Sequence, residues 1–274
     1  MRMTIGVAYY NNPENLKRFF KNLLETTSFI DELIIVDNGS DPEYALYEIL
    51  VNSKNIGDFT IIRNKENLGL TKAYNQIYKK STGDWIAILH NDITIHEQNW
   101  DLRVKEEIKK ESANHKIGLV GFGGGRGIGK DGSRLCFMSN LLNAEGHGIR
   151  IEKTTPAAII EGSVLICNRK MLDATGGFFD CDNFHYVYDY DISMSSINAG
   201  FLNMVVPVKL DHICGITYLN KRFASEHPKT QEINDHAWKN WNERWLDTGK
   251  LPYLITEDWE ELGDVEEIIK CLNK

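Results

Sequence analysis

Polar side chains follow an apolar run in the middle of this sequence at the point where the run ends. The run Trp85–Leu89 is unbroken, and His90, Asn91 and Asp92 come directly after it. Imidazole nitrogens and a carboxylate can hold a divalent cation or move a proton, and an amide can orient a ligand by hydrogen bonds. The stretch therefore predicts a buried strand that leads from the protein core directly into a binding or catalytic site.

Three earlier apolar stretches end in the same way. Their polar ends are Tyr10 and Asn11, Asp37 and Asn38, and Arg63 and Asn64. Ligands of a parallel α/β sheet bind outside the carboxyl ends of its strands. If the four strands are parallel neighbours, all four polar sets share one edge of the sheet, and that edge is predicted to be a ligand site.

Each set also has a purely structural interpretation. Asp37 precedes Asn38, Gly39 and Ser40, so its carboxylate could bond only to the backbone of its own turn. Asn91 and Asp92 could form a similar turn, and a lone histidine is more often a hydrogen-bonded residue than a ligand. The occurrence of all four sets at one predicted edge favours a site.

The elements that position these residues follow from the hydrophobic pattern. From residue 3 to about residue 121, strand and helix patterns alternate, which predicts a series of βαβ units and a largely parallel sheet. Pro13 and Pro42 each follow a capping residue, Asn12 and Asp41, and predict the starts of two helices. Residues 135–215 mix short strands with helical pieces.

The tail from about residue 220 is polar and predicted to be helical. Trp238, Trp241 and Trp245 are spaced to share one helix face. Such a stripe indicates a seam that packs the tail onto the rest of the protein more readily than a platform for an acceptor.

Residues 121–132 are rich in glycine and suggest a connector, with the role of a mobile loop over a bound ligand. Gly127, Gly129 and Gly132 match a dinucleotide-binding spacing, but no helix pattern follows them. A phosphate-binding P-loop is disfavoured because Asp131 stands where a magnesium-binding Ser or Thr is needed.

The composition narrows the class of protein. The chain has 274 residues, enough for one large domain or a domain with an appendage, and a formal charge of -8 that disfavours a nucleic-acid partner. Its five cysteines form no C-x-x-C pair, which is typical of reduced thiols in a cytoplasmic protein. We expect neither a signal peptide nor a transmembrane segment, because no apolar run is long enough.

Several blocks of the sequence together resemble family 2 glycosyltransferases with the GT-A fold. The likeness covers roughly residues 3 to 217, and the blocks follow one another in the family's order. They are VAYYNNPENLKRFFKNLLE, ELIIVDNGSDPE, NLGLTKAYNQIYKKSTGDWIAILHNDI, GSVLICNRKMLDATGGFFD, YDYDISMSSINAGF and VKLDHICGIT.

The resemblance implies an α/β fold: a Rossmann-like, mostly parallel sheet of the GT-A type, flanked by helices and followed by a helical C-terminal tail. The expected glycosyltransferase domain is 1–219, with a donor-binding half at 1–121 and an acceptor-side half at 122–219. Residues 220–274 are the expected helical extension.

The resemblance also implies a nucleotide diphosphate sugar as donor. Asp37 matches the acidic residue that contacts the nucleotide base, and Tyr10 and Asn11 match a polar pair in the same pocket. Together with the strand ends, the predicted donor-binding residues are Tyr10, Asn11, Asp37, Arg63, Asn67, Gly69, Asn75 and Asn91.

His90, Asn91 and Asp92 stand where the family has its metal-binding D-x-D or N-x-D motif. Asp92 keeps the last carboxylate, His90 replaces the first, and His212 matches a late histidine that can help to hold the metal. The implied cofactor is a divalent cation, Mn²⁺ or Mg²⁺. Two imidazoles shift the preference toward Mn²⁺, while substrate phosphates and water can complete its coordination.

Tyr188, Asp189, Tyr190 and Asp191 stand where many members have Glu-Asp-x-Asp, which implies that Asp189 is the catalytic base and leaves Asp191 as the alternative. Residues two apart on a helix point in different directions, so only one carboxylate can face the sugar. In-line attack by an acceptor hydroxyl inverts the anomeric centre. The acceptor itself, whether a glycan, a lipid-linked glycan or a small molecule, is not indicated.

Two other functions fit parts of the pattern. A sugar-nucleotide nucleotidyltransferase also uses an α/β sheet and metal-bound phosphates, although the first strand here lacks the expected glycine-rich loop with Arg and Lys. A protein that binds the nucleotide sugar without catalysis is the other alternative. His90 and Tyr188, the two departures from the family's pattern, are its basis.

Overall fold

The computed structural model describes residues 1–41, 53–129, 132–143, 148–179, 186–213 and 229–248. The helix predicted after Pro42 and most of the predicted C-terminal extension lie outside these residues. The described part is built on an eight-stranded sheet with the strand order β3-β2-β1-β4-β11-β6-β12-β9, accompanied by a three-stranded sheet, β10-β7-β8, and a pair, β13-β5.

Thirteen strands alternate with six α-helices and one π-helical turn in the described residues. The strands are β1 (Met3–Tyr9), β2 (Ile30–Asp37), β3 (Ile56–Arg63), β4 (Trp85–Leu89), β5 (Ile93–Ile95), β6 (Ile117–Gly121), β7 (Gly123–Ile128), β8 (Arg134–Ser139), β9 (Thr155–Ala157), β10 (Ile159–Ile160), β11 (Val164–Asn168), β12 (Leu202–Val205) and β13 (Leu210–His212). The helices are α1 (Pro13–Thr26), α2 (Leu70–Lys80), α3 (Trp100–Glu111), α4 (Arg169–Thr175), α5 (Tyr188–Asn198) and α6 (Thr230–Trp241), and the π-helical turn is Asn242–Leu246. Of the helices that the structure describes, none combines the length and the apolar character that a bilayer crossing requires.

The first four strands of the large sheet are parallel neighbours, as predicted. Tyr9 pairs with Asp37, Asp37 with Arg63, and Val7 with Leu89. The carboxyl ends of β1 to β4 therefore meet at one edge of the sheet, and the polar sets that follow them lie along that edge.

Burial explains why these strands read as apolar runs. All five residues of β4 are buried, and β2 is almost as completely covered. One apolar cluster, which includes α1 and α3, packs on one face of the sheet, and another, which includes α2, packs on the other. The predicted start of α1 is confirmed: Pro13 is its first residue, and Asn12 Oδ1 accepts from the Asn15 N–H at 3.3 Å.

The second half of the sheet is mixed. Strand β11 runs antiparallel to both β4 and β6, whereas β12 is parallel to β6. Val164 at the start of β11 pairs with Leu89 at the end of β4. The segment between β10 and β11 therefore lies at the edge of the sheet where β4 ends. The large sheet is thus mostly parallel and flanked by helices, as expected for the GT-A type.

The expected glycine-rich mobile loop is wrong for residues 123–128, which form the buried strand β7 between β10 and β8. The glycines allow close packing there: a Cβ on Gly124 would clash with the Ile159 carbonyl, and a Cβ on Gly121 would clash with Ile160. Beyond β7, the Gly132 N–H donates to the Gly129 carbonyl at 2.9 Å. The residues directly after Gly132 enter β8 and not a helix, whereas a nucleotide-binding loop of either type leads into a helix.

The described part of the tail packs through its tryptophans, as predicted. Trp241 and Trp245 are each only 2% exposed, and Trp238 packs against their cluster. The Trp238 and Trp241 rings meet edge to face with centroids 5.8 Å apart, and both contact the Tyr190 ring on α5. The stripe is a seam between the tail and the helix that carries the predicted base.

Candidate functional site

His90, Asp92 and His212 come together because of the short β5-β13 ribbon. The chain leaves β4 at Leu89, turns through His90 to Asp92 and enters β5. His212 on β13 pairs with Ile93 on β5, and the Ile213 N–H donates to the Asp92 carbonyl at 3.0 Å. Residues more than 100 positions apart in the sequence are thereby placed side by side.

The three side chains offer a set of ligand atoms that fits a divalent cation. His212 Nε2 lies 3.3 Å and His90 Nδ1 3.7 Å from Asp92 Oδ1, and the three ligand atoms lie within 4.8 Å of one another. Ligands bound at right angles about 2.1 Å from one ion would be about 3 Å apart. Asp92 Oδ1 is also buried and lacks a well-aligned hydrogen bond among the described residues. A cation would satisfy this oxygen, so the residues fit the cofactor that the sequence predicts.

The electrostatics of the cluster keep its ligand groups in the forms that bind metal. Burial raises the pKa of Asp92, but His212 and His90 outweigh this effect and hold it below its ordinary value. Burial lowers the pKa of His90, although the Asp92 carboxylate opposes the change. A carboxylate with a lowered pKa beside an imidazole with a lowered pKa is ready to bind a cation without first losing protons.

Glu161 is a member of this region that the sequence analysis missed. It follows β10, its Oε1 lies 3.7 Å from His212 Nδ1, and Ser163 Oγ donates to its other oxygen. The available signal was a single charged residue within the otherwise apolar run of residues 157–167. A charge in such a run rarely lacks a partner, so it could have been read as a site residue.

Asp37 lies at the other end of the edge with both oxygens engaged. Oδ1 accepts from the Ser40 N–H at 2.8 Å, and Oδ2 accepts from Arg63 Nη1 at 2.5 Å. Arg63 Nη2 also donates to the Ser40 carbonyl at 2.8 Å. The turn interpretation of Asp37 is therefore realised, and Arg63, itself a predicted site residue, holds the carboxylate in place on the sheet edge.

Two buried amides nearby have unused donors. Asn11 Nδ2 and Asn67 Nδ2 are buried without a hydrogen-bond partner among the described residues. Asn67 is oriented by its oxygen, which accepts from Asn38 Nδ2 at 2.8 Å and from the Gly69 N–H at 3.0 Å. Gly69 has a φ of 85°, which allows the turn into α2. Leaving a buried donor unpaired costs about 1–3 kcal/mol, a cost that a ligand with acceptor atoms would remove.

Three other predicted donor residues have different surroundings. Tyr10 is half-buried directly after β1. The Asn91 carbonyl accepts from Asn15 Nδ2 at 2.6 Å, which fixes the turn before Asp92. Asn75 is bonded to Phe178 at both ends of its amide, at 2.8 and 2.9 Å. These contacts hold the loop after α4, so the geometry gives no support to a donor contact by Asn75.

The two ends of the site are separated by a distance that the sheet sets. The ends of β2 and β4 flank the end of β1 on opposite sides, because Asp37 lies beside Tyr9 and Leu89 beside Val7. Two strand spacings give a separation of roughly 10 Å. An extended ligand can therefore lie along the edge with one end at Asp37 and the other at the cation cluster.

Asp189 lies on the first turn of α5, next to the cation cluster. The preceding residue, Tyr188, is hydrogen bonded through Oη to His90 Nε2 at 2.7 Å. The Asp189 side chain is partly exposed, and its Oδ1 accepts from the Tyr190 N–H at 3.0 Å. Desolvation raises the pKa of Asp189, Arg134 partly opposes this, and Glu161 adds to it. A carboxylate with a raised pKa is more basic and suits proton abstraction.

Asp191, two residues further along α5, bonds to the C-terminal tail. It is buried, and its oxygens accept from Trp245 Nε1 at 2.8 Å and from Arg244 Nη1 at 3.1 Å. The Arg244 guanidinium also stacks on the Phe179 ring, with 3.9 Å between them. The two carboxylates of α5 therefore have different surroundings, and both Asp191 oxygens are bonded to the tail.

We expect Arg244→Leu to lower the free energy of unfolding by about 3 kcal/mol, because it leaves the Asp191 charge buried without its ionic partner. Urea unfolding of the full chain measures this effect. Glu243→Gln is the control on the same turn, since its pair with Lys239 is exposed and contributes less than about 1 kcal/mol. Equal stability of the two variants would contradict the assignment of Asp191 as a structural anchor.

Comparisons with known proteins bear on the family and the fold of this chain. The model of the family described as Glycosyl transferase family 2 matches residues 4–161. A poly-beta-1,6-N-acetyl-D-glucosamine synthase of Staphylococcus aureus (strain COL) is 30% identical over 118 residues, which are 43% of this chain and 27% of that protein. The chain thus matches only about a quarter of the length of this curated relative.

Solved structures resemble this one over about three quarters of the chain. A mannosyltransferase, PcManGT of Pyrobaculum calidifontis in complex with GDP-Man and Mn²⁺, has a TM-score of 0.54 at 15% identity and covers 75% of this chain and 55% of its own. GalNAc-T7 with UDP, GalNAc and Mn²⁺ has a TM-score of 0.58 at 14% identity, with coverages of 77% and 44%. S. aureus TarS 1-349 in complex with UDP-GlcNAc has a TM-score of 0.53 at 14% identity, with coverages of 76% and 56%. At these identities the likeness concerns the fold.

Proposed function

Because the chain belongs to glycosyl transferase family 2, we propose that it moves a sugar from a nucleotide diphosphate sugar to an acceptor hydroxyl, with a divalent cation and with inversion. One observation carries this proposal. A cluster suited to a cation and a basic carboxylate lie on two different elements, and the hydrogen bond between His90 and Tyr188 joins these elements. The family favours glycosyl transfer over the nucleotidyl transfer that the sequence alone left open.

The donor lies along the edge formed by β1 to β4 in this proposal. Asp37 accepts a hydrogen bond from the nucleotide base, and Asn11 and Asn67 donate through the amide nitrogens that are otherwise unpaired. The roughly 10 Å between the ends of β2 and β4 then spans the part of the donor between the base and the phosphates. Arg63 orients the Asp37 carboxylate through its ion pair.

His90, Asp92 and His212 are the proposed ligands of the cation. When bound, the cation supplies charge that stabilises the diphosphate leaving group. One carboxylate and two imidazoles favour Mn²⁺ or a similar transition metal over Mg²⁺, because imidazole is a softer ligand than water or carboxylate. Two of the solved structures described above were obtained with Mn²⁺.

Asp189 is the proposed general base. It removes the proton of the acceptor hydroxyl while that oxygen attacks the anomeric carbon from the side opposite the diphosphate, and this direction of attack inverts the centre. Arg134, held between the Phe137 and Tyr190 rings, opposes the effect of burial on the Asp189 pKa and favours the ionised form.

A donor panel tests the proposal. UDP-GlcNAc is the first donor to use, because TarS was solved with it and the S. aureus relative is named for an N-acetylglucosamine polymer. We expect nucleotide release from at least one nucleotide sugar in the presence of Mn²⁺ and none with EDTA. With water as the acceptor, NMR of the released sugar at early times, before mutarotation, should show an inverted anomeric centre. Activity that persists in EDTA would contradict the role of the cation, and a retained configuration would contradict a single displacement.

We expect Asp37→Ala to weaken nucleotide binding ten- to hundredfold, since a lost hydrogen bond to a charged group costs about 1.5–3 kcal/mol. Calorimetry with UDP and GDP measures the effect. The loss of the Arg63 pair also lowers stability, so circular dichroism must first show that the variant is folded. Asp58→Ala is the control, because Asp58 lies on the neighbouring strand β3 and forms only an exposed pair with Arg2. Unchanged nucleotide affinity in the folded Asp37 variant would leave Asp37 as a turn residue only.

The pH dependence of turnover follows from the raised pKa of Asp189. The carboxylate is the active form, so kcat/KM should rise about tenfold per pH unit below that pKa and level off above it. The midpoint should lie above the ordinary pKa of an aspartate, because desolvation dominates the shift. Arg134→Gln should move this midpoint upward, since it removes the charge that favours ionisation. A midpoint that moves downward, or does not move, would contradict the proposed interaction.

A further inference from the structure

The two positions at which this chain departs from the family's pattern are in direct contact. His90 stands for the first carboxylate of the metal motif and Tyr188 for a glutamate, and His90 Nε2 lies 2.7 Å from Tyr188 Oη. Two carboxylates at these positions would repel each other at this distance, whereas an imidazole and a phenol form a neutral hydrogen bond. The two substitutions are therefore compatible with each other and form one unit.

The protein fixes the Tyr188 ring in place. Tyr188 is buried, its ring meets the Tyr74 ring edge to face at 5.4 Å, and the two hydroxyls are hydrogen bonded. Gly162 lies against the ring, and a Cβ at this position would clash with Tyr188 Oη. The hydroxyl of Tyr188 therefore has a defined position between His90 and Tyr74.

The Tyr188 hydroxyl supports the form of His90 that can bind a cation. A neutral imidazole has one N–H, and a phenol can donate or accept. If Nδ1 binds a cation, its lone pair is used and the proton must lie on Nε2, where Tyr188 Oη at 2.7 Å can accept it. Nδ1 is the nitrogen on the side of the cluster, 3.7 Å from Asp92 Oδ1.

From this geometry we infer that Tyr188 is a positioning residue of the cation site, which holds His90 with Nδ1 available as a metal ligand. The inference rests on the proposed function and names the support for one of its ligands. A ligating histidine that donates its other N–H to a neighbouring acceptor is oriented and made more basic, and loss of such a partner typically weakens metal binding 10–100-fold.

The hydrogen bond between His90 and Tyr188 also connects the proposed cation site to the proposed base. Tyr188 is the first residue of α5 and Asp189 is the second, so the residue that orients a metal ligand is adjacent to the proposed base. Val187, just before them, has a φ of 59°, a conformation that a β-branched residue rarely adopts. Anchoring of Tyr188 by His90 fixes the start of this helix and the direction of Asp189.

Titration of the full chain with MnCl₂ alone, followed by calorimetry, tests the inference without an activity assay. We expect Tyr188→Phe to weaken Mn²⁺ binding 10–100-fold. Once His90 has been removed, Tyr188 has no ligand to orient. The double variant Tyr188→Phe/His90→Ala should therefore bind Mn²⁺ no more weakly than His90→Ala alone. Tyr78→Phe is the matched control, because it removes a hydroxyl bonded to Asp173 near the surface.

The ¹⁵N chemical shifts of His90 in the protein saturated with diamagnetic Mg²⁺ report the tautomer directly. We expect a protonated Nε2 and an unprotonated Nδ1 in the wild type, and loss of this pattern in Tyr188→Phe. Gly162→Ala, which displaces the Tyr188 hydroxyl without removing it, should weaken Mn²⁺ binding in the same direction.

Unchanged Mn²⁺ affinity in Tyr188→Phe, or independent losses in the double variant, would overturn the inference. Absence of Mn²⁺ binding by the wild type would overturn it together with the cation role in the proposed function. If Mn²⁺ binds as expected and no nucleotide sugar is turned over, the inference stands and the proposed function falls.

Discussion

Asp189→Asn is expected to lower turnover by about 10²–10⁴-fold while nucleotide and Mn²⁺ binding stay near normal. The substitution keeps the size of the side chain and the oxygen that accepts from the Tyr190 N–H, so the start of α5 is preserved. What it removes is the proposed acceptor for the hydroxyl proton, and general base catalysis typically contributes a factor of this size. Because the base acts only in the transition state, kcat should fall and the KM for the donor should change little.

The matched comparison is Asp191→Asn, measured at saturating donor and acceptor. Asp191 is bound by Arg244 and Trp245, so its loss should act through stability and leave turnover of the folded enzyme within about tenfold of wild type. If Asp191→Asn is the inactive variant and Asp189→Asn the active one, the two roles are exchanged. If both variants remain active, neither Asp189 nor Asp191 is the base.

The edge of the sheet could be predicted from sequence because its signals are local. An apolar run that ends on polar residues needs no partner to be recognised, and the alternation of strand and helix patterns implied the parallel order that places Asp37, Arg63 and Asp92 together. The start of α1 could be predicted for the same reason, since a capping residue followed by proline, Asn12 and Pro13, is a signal of only two adjacent residues.

What the sequence could not provide depends on contacts between distant residues. The glycines of 123–128 read as a loop because glycine is permissive, and only the approach of Ile159 and its neighbours makes them a strand. The burial of Asp191 depends on Arg244, 53 positions away, and the role of Tyr188 depends on His90, 98 positions away. When a residue departs from a family pattern, its role becomes evident only once the residue that it contacts in the folded protein is known.

Asp92→Asn is expected to weaken Mn²⁺ binding by more than about 100-fold. This loss exceeds the roughly 10–100-fold effect of removing a residue that only orients a metal ligand, because Asp92 is itself a proposed ligand. The part of donor binding that depends on Mn²⁺ should be lost as well. In the cluster of His90, Asp92 and His212, Asp92 supplies the carboxylate. An amide oxygen carries no charge to balance the cation, and its nitrogen cannot ligate it at all. His90→Ala should act differently, because it removes a neutral, softer ligand and should reduce the preference for Mn²⁺ over Mg²⁺ more than the maximal rate.

Parallel titrations with MnCl₂ and MgCl₂, each repeated with UDP present, separate these effects. We expect Asp92→Asn to lose affinity for both metals and His90→Ala to show a smaller ratio of Mn²⁺ affinity to Mg²⁺ affinity. In EDTA, the wild type and both variants should bind UDP equally. That last equality matters because Asp37 and the cluster lie about two strand spacings apart, so a change at Asp92 should leave contacts to the base intact. Full Mn²⁺-dependent activity in Asp92→Asn would refute the cation site. An equal loss of UDP binding in EDTA would instead mean that the substitution disturbs the whole edge, and would remove the evidence that Asp92 acts through the metal.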